Sequence, residues 1–237
     1  MNNQGKHVVI TGGNKGIGRA LAEAFAAENA TLYLCARNAE TLEETASFLQ
    51  KKFPGCKVFT KATDLLIKQN VIDFGNWVIE KGTPDIVVNN AGFFVPGSTF
   101  NEPDGILEKM IGINLYSAYH LTRTVLPPMI NKKSGHIFNI CSIASLQAYS
   151  NGGSYGISKF ALLGLSKNLR EELKPHGIKV TVVQPGAVLT DSWGDFDNSE
   201  HRIMETGDIV KMILAATTLS IGATVEEIVI RPQLGDL

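Results

Sequence analysis

Hydrophobic and polar positions alternate between two periods along the chain. Short runs of contiguous apolar, largely β-branched residues have the length of strands: His7–Thr11, Thr31–Ala36, Lys57–Thr60, Asp85–Asn89, His136–Cys141, Lys179–Gln184 and Glu227–Arg231. Between them, apolar residues recur three and four positions apart, as on one face of a helix. Gly16–Glu28 carries Ile17, Leu21, Ala24 and Phe25 on such a stripe. Glu40–Lys51, Leu65–Glu80, a long stretch from about Asp104 to Asn131, Ser154–Lys174 and Gly207–Leu219 read the same way. The strand segments VVI, DIVVN, IFNI and VTVV are almost wholly apolar, so both of their faces need cover, as in a parallel sheet. Right-handed crossovers then place helices on both sides. The expected fold is α/β, a doubly wound parallel sheet of about seven strands with helices on both faces. No linker or repeat divides it, so residues 1–237 are read as a single domain. The least patterned segment, Thr190–Thr206, follows a strand end and is the expected substrate loop, about 190–206.

Composition narrows the function. The formal net charge is −1, which gives no bulk electrostatic case for nucleic acid or an anionic membrane as partner. No window reaches the roughly 18 uninterrupted apolar residues of a membrane span, and Met1–Lys6 is short and polar. Cys35, Cys56 and Cys141 are too few and too scattered for a disulfide framework. A reducing, cytoplasmic setting is the expectation. His7, His120, His136, His176 and His201 have no ligand spacing, so no metal site is expected.

The glycines concentrate the chemistry. The first strand runs into Thr11-Gly12-Gly13-Asn14-Lys15-Gly16-Ile17-Gly18, and a helix follows at once. A tight turn and a close backbone approach to phosphate both need residues without Cβ, and a helix N-terminus offers free N–H groups to a pyrophosphate. Gly12, Gly16 and Gly18 suit these roles, with Asn14, Lys15 and Ile17 beside them, in a Rossmann-type dinucleotide site. The second strand ends in Cys35-Ala36-Arg37-Asn38, where an NAD site usually puts an acid for the ribose hydroxyls. Ala36 leaves space instead, and Arg37 and Lys15 offer two cations to a 2′-phosphate. The cofactor favoured is therefore NADP(H).

Thr-Gly-x-x-x-Gly-Ile-Gly at Thr11–Gly18, Asn-Asn-Ala-Gly at Asn89–Gly92, Ser142, Tyr155-x-x-x-Lys159 and Pro185-Gly186 occur in one order. Together they resemble the short-chain dehydrogenase/reductase family over about residues 5–231. Chemistry independent of the resemblance agrees with it. Tyr155 and Lys159 are four residues apart and share a helix face. A cation about 4 Å from the phenol, at an effective dielectric near 20, favours phenolate by roughly 4 kcal/mol, about three pKa units, which would bring Tyr155 near neutrality. Ser142 follows the strand HIFNI and can hydrogen-bond a substrate carbonyl.

The resemblance implies that Ser142 polarises the substrate oxygen, Tyr155 donates the proton, and Lys159 also holds the ribose. It implies that Asn114 kinks its helix and holds a water that relays protons to Lys159. It further implies that Asp64 contacts adenine, that Asn90, Ala91 and Gly92 lie beside the cofactor, and that Pro185, Gly186, Val188 and Thr190 form the nicotinamide-side loop.

Phe93, Phe94 and Val95, then Ile143, Ala144, Gln147 and Tyr149, then Trp193, are expected to line a mostly apolar substrate pocket. A small apolar or aromatic carbonyl or hydroxyl compound fits it. Within the family, the plan is similar to 3-oxoacyl-thioester reductases, while 184–194 and 225–237 look more like sepiapterin-reductase-like members. Leu115, Tyr119, Leu162 and Leu163 put apolar residues on more than one helix face. The resemblance makes this a subunit interface, hence a homodimer or homotetramer. Two alternatives to an NADP(H)-dependent carbonyl reductase remain open: an NAD-linked alcohol dehydrogenase of the same fold, and an NADP(H)-sensing binding protein without turnover.

Overall fold

The computed structural model describes residues 3–236; Met1, Asn2 and Leu237, and with them part of the polar Met1–Lys6 segment, lie outside the described residues. Strands β1 (His7–Thr11), β2 (Thr31–Ala36), β3 (Lys57–Ala62), β4 (Ile86–Asn89), β5 (Gly135–Ile140), β6 (Ile178–Pro185) and β7 (Glu227–Ile230) form one sheet. Its order is β3-β2-β1-β4-β5-β6-β7, with every neighbour parallel.

The near-continuous apolar runs are explained by what covers them. Successive side chains of β1 point to opposite faces. Val8 and Ile10 join a cluster with Leu21, Phe25, Leu42, Leu49, Ile209 and Ile213. These come from α1 (Gly16–Ala27), α2 (Ala39–Lys52) and α7 (Thr206–Thr217). Val9 joins the opposite cluster with Phe74, Val78, Leu121, Val125 and Leu169. These come from α3 (Lys68–Lys81), α5 (Ser117–Lys132) and α6 (Gly153–Leu173). The three cysteines are buried and free, and burial pushes the Cys35 and Cys141 thiols up to about 12 and Cys56 to about 11. Among the described residues, no helix is long and apolar enough to cross a membrane.

The sequence pattern predicts one long helix over 104–131, and here the structure differs. A short α4 (Ile106–Ile111) passes into a π-helical turn over Gly112–Tyr116 before α5 begins. The Ser117 N–H reaches back to the Gly112 carbonyl, and the Ser117 hydroxyl takes the Ile113 carbonyl at 2.5 Å. Such turns accommodate an extra residue in a helix and are frequent at functional sites. Here Asn114 lies within it, and three hydrogen bonds hold its side chain: from Phe93 N (2.7 Å), to Phe93 O (3.0 Å) and to Ser158 Oγ (2.8 Å).

Of the residues expected to give these helices more than one apolar face, Leu162 and Leu163 are buried within the protomer. Tyr116, Ile157 and Phe160 are exposed in their place. The sheet order reverses between β1 and β4, where the crossovers diverge and leave a crevice beyond the C-terminal strand ends.

Phe74 is fully buried among α3, α5 and the sheet. Phe74→Ala should therefore lower the unfolding free energy by about 3–5 kcal/mol, measured by urea denaturation.

Candidate active site

A cavity of about 600 Å³ occupies that crevice. Its floor at one end is the loop after β1. Gly12 and Gly16 have φ of +65° and +52°, a region that L side chains rarely adopt. A Cβ on Gly12 would lie 3.2 Å from the Ala91 Cα, and one on Gly18 would lie 2.2 Å from the Gly12 carbonyl oxygen. Gly12 and Gly16 line the cavity, whereas Gly18 lies beneath it and lets the helix approach the turn. Lys15 precedes α1 in extended conformation; no side chain caps the helix and its first turn holds no acid. The free N–H groups and positive end of the helix dipole are thus available to an anion.

Asn90 ties this loop to β4. Its side-chain amide donates to the Thr11 carbonyl (2.9 Å) and the Gly12 carbonyl (3.3 Å). The Thr11 hydroxyl accepts from the N–H groups of Asn90 (3.0 Å) and Ala91 (2.9 Å). Asn14, Lys15, Ile17, Ala36, Arg37 and Asp64 continue the wall toward β2 and β3. Among the described residues, no carboxylate forms an ion pair with Lys15 or Arg37. The Asp64 carboxylate accepts from Leu66 N (3.0 Å), so it holds the turn after β3 while it faces the cavity.

At the other end, Ser142, Tyr155 and Lys159 line the same cavity; Asn90, Ala91, Gly92, Pro185, Gly186, Val188 and Thr190 complete its wall, with Thr190 close to Gly16. Ser142 follows β5 in extended conformation, and its Oγ accepts from Ala144 N (3.1 Å). That bond uses a lone pair and leaves the O–H to donate toward the neighbouring Tyr155 oxygen or a substrate. Lys159 is buried, and its Nζ donates to the Ile140 carbonyl (2.8 Å) while lying 5.6 Å from the Tyr155 ring centroid. Gly92 lies beside it: the Cβ position of Gly92 is 3.8 Å from Nζ, an ordinary van der Waals contact. The Phe94 ring meets Tyr155 edge-on at 4.8 Å.

The expected shift of Tyr155 toward neutrality does not hold for the protein by itself. Burial pushes its phenol up to about 12, and the hydrogen bond with Ser142 opposes this only in part. Burial also holds the Lys159 ammonium below its usual range. The pairwise attraction estimated from sequence left out the desolvation of both partners, which here is the larger effect.

Asn114 lies outside the cavity wall and is 1% exposed. With its amide fully engaged, it pins the Phe93 segment to the π turn and to Ser158. Of the expected pocket residues, Phe93, Phe94, Ile143, Gln147, Tyr149 and Trp193 line the cavity. Val95 does not, and Ala144 is turned into the core.

Two participants escaped the sequence reading. Ser158 is fully buried and passes a hydrogen bond from Asn114 to the Tyr155 carbonyl (2.7 Å); its place inside Tyr155-x-x-x-Lys159 was the available signal. Asp236 reaches the cavity from the chain's last segment, packed against Gly186 and paired with Arg231. Arg202 holds the same segment through the carbonyls of Gly235 and Asp236, both at 2.9 Å. No local pattern signals that contact.

Comparison with known proteins is consistent with this geometry. The model of the short chain dehydrogenase family matches residues 6–201. A sepiapterin reductase of Chlorobaculum tepidum is 32% identical over 242 residues, covering 98% of each chain. A metagenomic short-chain oxidoreductase solved in complex with NADP is 29% identical with a TM-score of 0.84, covering 98% of each chain. The L-sorbose reductase of Gluconobacter frateurii, solved with NADPH and L-sorbose, is 27% identical with a TM-score of 0.87, covering 97% of this chain and 96% of that one.

Tyr155's folded pKa lies above its unfolded value of about 10. Its share of stability is therefore full below about pH 10 and is lost as the pH rises through the folded value. An ultraviolet tyrosinate titration of the protein alone, differenced against Tyr155→Phe, should show this phenol ionising only near pH 12.

Proposed function

This chain belongs to the short chain dehydrogenase family, and from that premise we propose that it is an NADP(H)-dependent carbonyl reductase. The observation that carries the reading is one continuous cavity, with the glycine turn and the cations Lys15 and Arg37 at one end and Ser142, Tyr155 and Lys159 at the other. The glycine cradle fits a dinucleotide: Gly12 and Gly16 hold positive φ, a Cβ on Gly16 would reach within 3.3 Å of the Thr190 methyl on the cavity wall, and one on Gly18 would push the helix off the turn. Arg37 and Lys15 fit a 2′-phosphate, with Ala36 leaving room and no acid at the end of β2 to repel it. Structural neighbours solved with NADP or NADPH support the same preference. Asp64 would face the adenine, and Val188 and Thr190 the carboxamide of the nicotinamide.

When bound, the reduced nicotinamide supplies a hydride to the substrate carbonyl carbon. The protein's own groups manage the oxygen. The Ser142 O–H donates to the carbonyl oxygen and stabilises the charge that develops there. Tyr155 then gives its proton to the alkoxide. An alkoxide is far more basic than a phenolate, so a phenol held protonated at neutral pH is matched to reduction. The nearby Lys159 ammonium stabilises the phenolate left behind, and the cleft refills the proton from solvent.

The substrate end is walled by Phe93, Phe94, Tyr149 and Trp193, and among the described residues that line it the one cation is Lys159. A neutral, flat or apolar carbonyl compound fits better than an anionic one. The sepiapterin reductase relative supports a planar ring. Tyr116, Ile157 and Phe160, exposed near α4–α6, support self-association as a homodimer or homotetramer. Three free, buried thiols suit a cytoplasmic setting.

Consumption of NADPH should be followed with a ketone panel that includes isatin, a neutral bicyclic ketone. Tyr155→Phe should lower kcat by about 10³-fold or more while NADPH still binds. Wild-type turnover in that variant would refute the proton-donor role. Arg37→Asp should shift the kcat/KM ratio toward NADH by at least about tenfold, the loss of one charge-assisted contact.

A further inference from the structure

A helix leaves its first N–H groups without partners inside the helix. The helix that bears Tyr155 and Lys159, α6, has Gly152 at its cap position, no side-chain cap from it and no acid in its first turn. The missing carboxylate comes from Glu102, 52 residues earlier. Glu102 Oε1 accepts from Ser154 N at 2.8 Å, and Oε2 accepts from the Ser154 hydroxyl.

The chain makes room for this contact. A Cβ on Gly153 would lie 1.6 Å from Glu102 Oε1, and one on Gly97 would lie 2.7 Å from Glu102 Cγ. Gly97 N also donates to the Asn151 carbonyl (3.0 Å), and Ser98 Oγ bonds Asn151 Oδ1 (3.1 Å). The segment from Phe93 to Glu102 is thus anchored at its start, its middle and its end. Asn114 holds its start and Glu102 fastens its end to the helix, one residue before Tyr155. Between the anchors, Phe94 rests on the Tyr155 ring.

We propose that Glu102 is a positioning residue for Tyr155. By capping the first turn of α6 from the opposite wall, it makes the substrate-side segment and the proton donor one rigid unit. This rests on the reading of Tyr155 as the donor. Glu102 acts through Ser154 and does not touch the reacting atoms.

The test compares Glu102→Ala, Glu102→Gln and Tyr155→Phe in the full chain, with isatin as substrate. Glu102→Ala should lose roughly tenfold in kcat, the scale of a lost cap. The NADPH dissociation constant should stay within about twofold of wild type, because the dinucleotide end of the cavity is untouched. Glu102→Gln keeps an oxygen for the Ser154 N–H and should recover most of the loss. Hydrogen exchange, which needs no substrate, should show faster exchange at Ser154–Gly156 in Glu102→Ala, with Leu162–Leu169 unchanged.

The proposal is overturned by an unchanged kcat in Glu102→Ala, by equal losses in the Ala and Gln variants, or by a kcat loss matched by weaker NADPH binding. If Glu102→Ala does not fold, Ser154→Ala removes only the hydroxyl arm. A several-fold fall in kcat with normal NADPH affinity then supports the proposal, and no change overturns it. Full turnover in Tyr155→Phe would instead discard the donor reading, whatever Glu102 does.

Discussion

A parallel sheet covered on both faces can present chemistry only along the ends of its strands. Here Val8 and Ile10 are committed to one helical layer and Val9 to the other, and each is fully buried. Every reactive group is therefore found just past a strand end or on the helix that follows it: Gly12 after β1, Arg37 after β2, Asn90 after β4, Ser142 after β5 and Gly186 after β6. The reversal of strand order between β1 and β4 opens the space these residues share. Core and site answer to one constraint, and the glycines mark where backbone approaches backbone or a ligand too closely for a side chain.

Electrostatics at the reactive end are governed by burial more than by pair attraction. Lys159 is held by the Ile140 carbonyl, and the Tyr155 phenol stays neutral well above physiological pH. A cation kept inside the protein must be compensated, and a carbonyl dipole does this without fixing a second full charge beside the reacting atoms. That leaves the ammonium free to respond when negative charge arises on the phenol. The contrast with Asp85 is instructive. Its carboxylate is bonded by Lys132 and lies near Lys6, and these partners hold it below the usual range despite burial. Asp85 has two cations beside it at the far end of the sheet, whereas among the described residues the buried Lys159 ammonium of the cleft forms no ion pair.

Much of this was legible in the sequence. β1 and β2 begin and end where their apolar runs do, because nearly all-apolar strands have sharp edges in composition. The glycine turn was legible because its backbone conformation restricts residue choice at Gly12 and Gly16. Other features left little trace. Periodicity says that α6 has apolar residues on more than one face but not which face the core takes, and the structure buries Leu162 and Leu163. Desolvation depends on what surrounds a group in space, so the direction of the Tyr155 shift could not come from its spacing to Lys159. Asp236 and Glu102 act across long stretches of chain, where no local pattern exists.

The π turn at Gly112–Tyr116 has a consequence for the phase of the helix around it. One additional residue rotates everything beyond it by about 100° relative to an uninterrupted α-helix. The stripe that faces the sheet in α5 is consequently out of step with that of α4, and a helical wheel drawn through both mixes inward and outward positions. The interruption therefore works as a landmark independent of residue identity. In a distant chain whose motifs have drifted, a slip of this kind in the helix after the fourth strand would still locate the cleft.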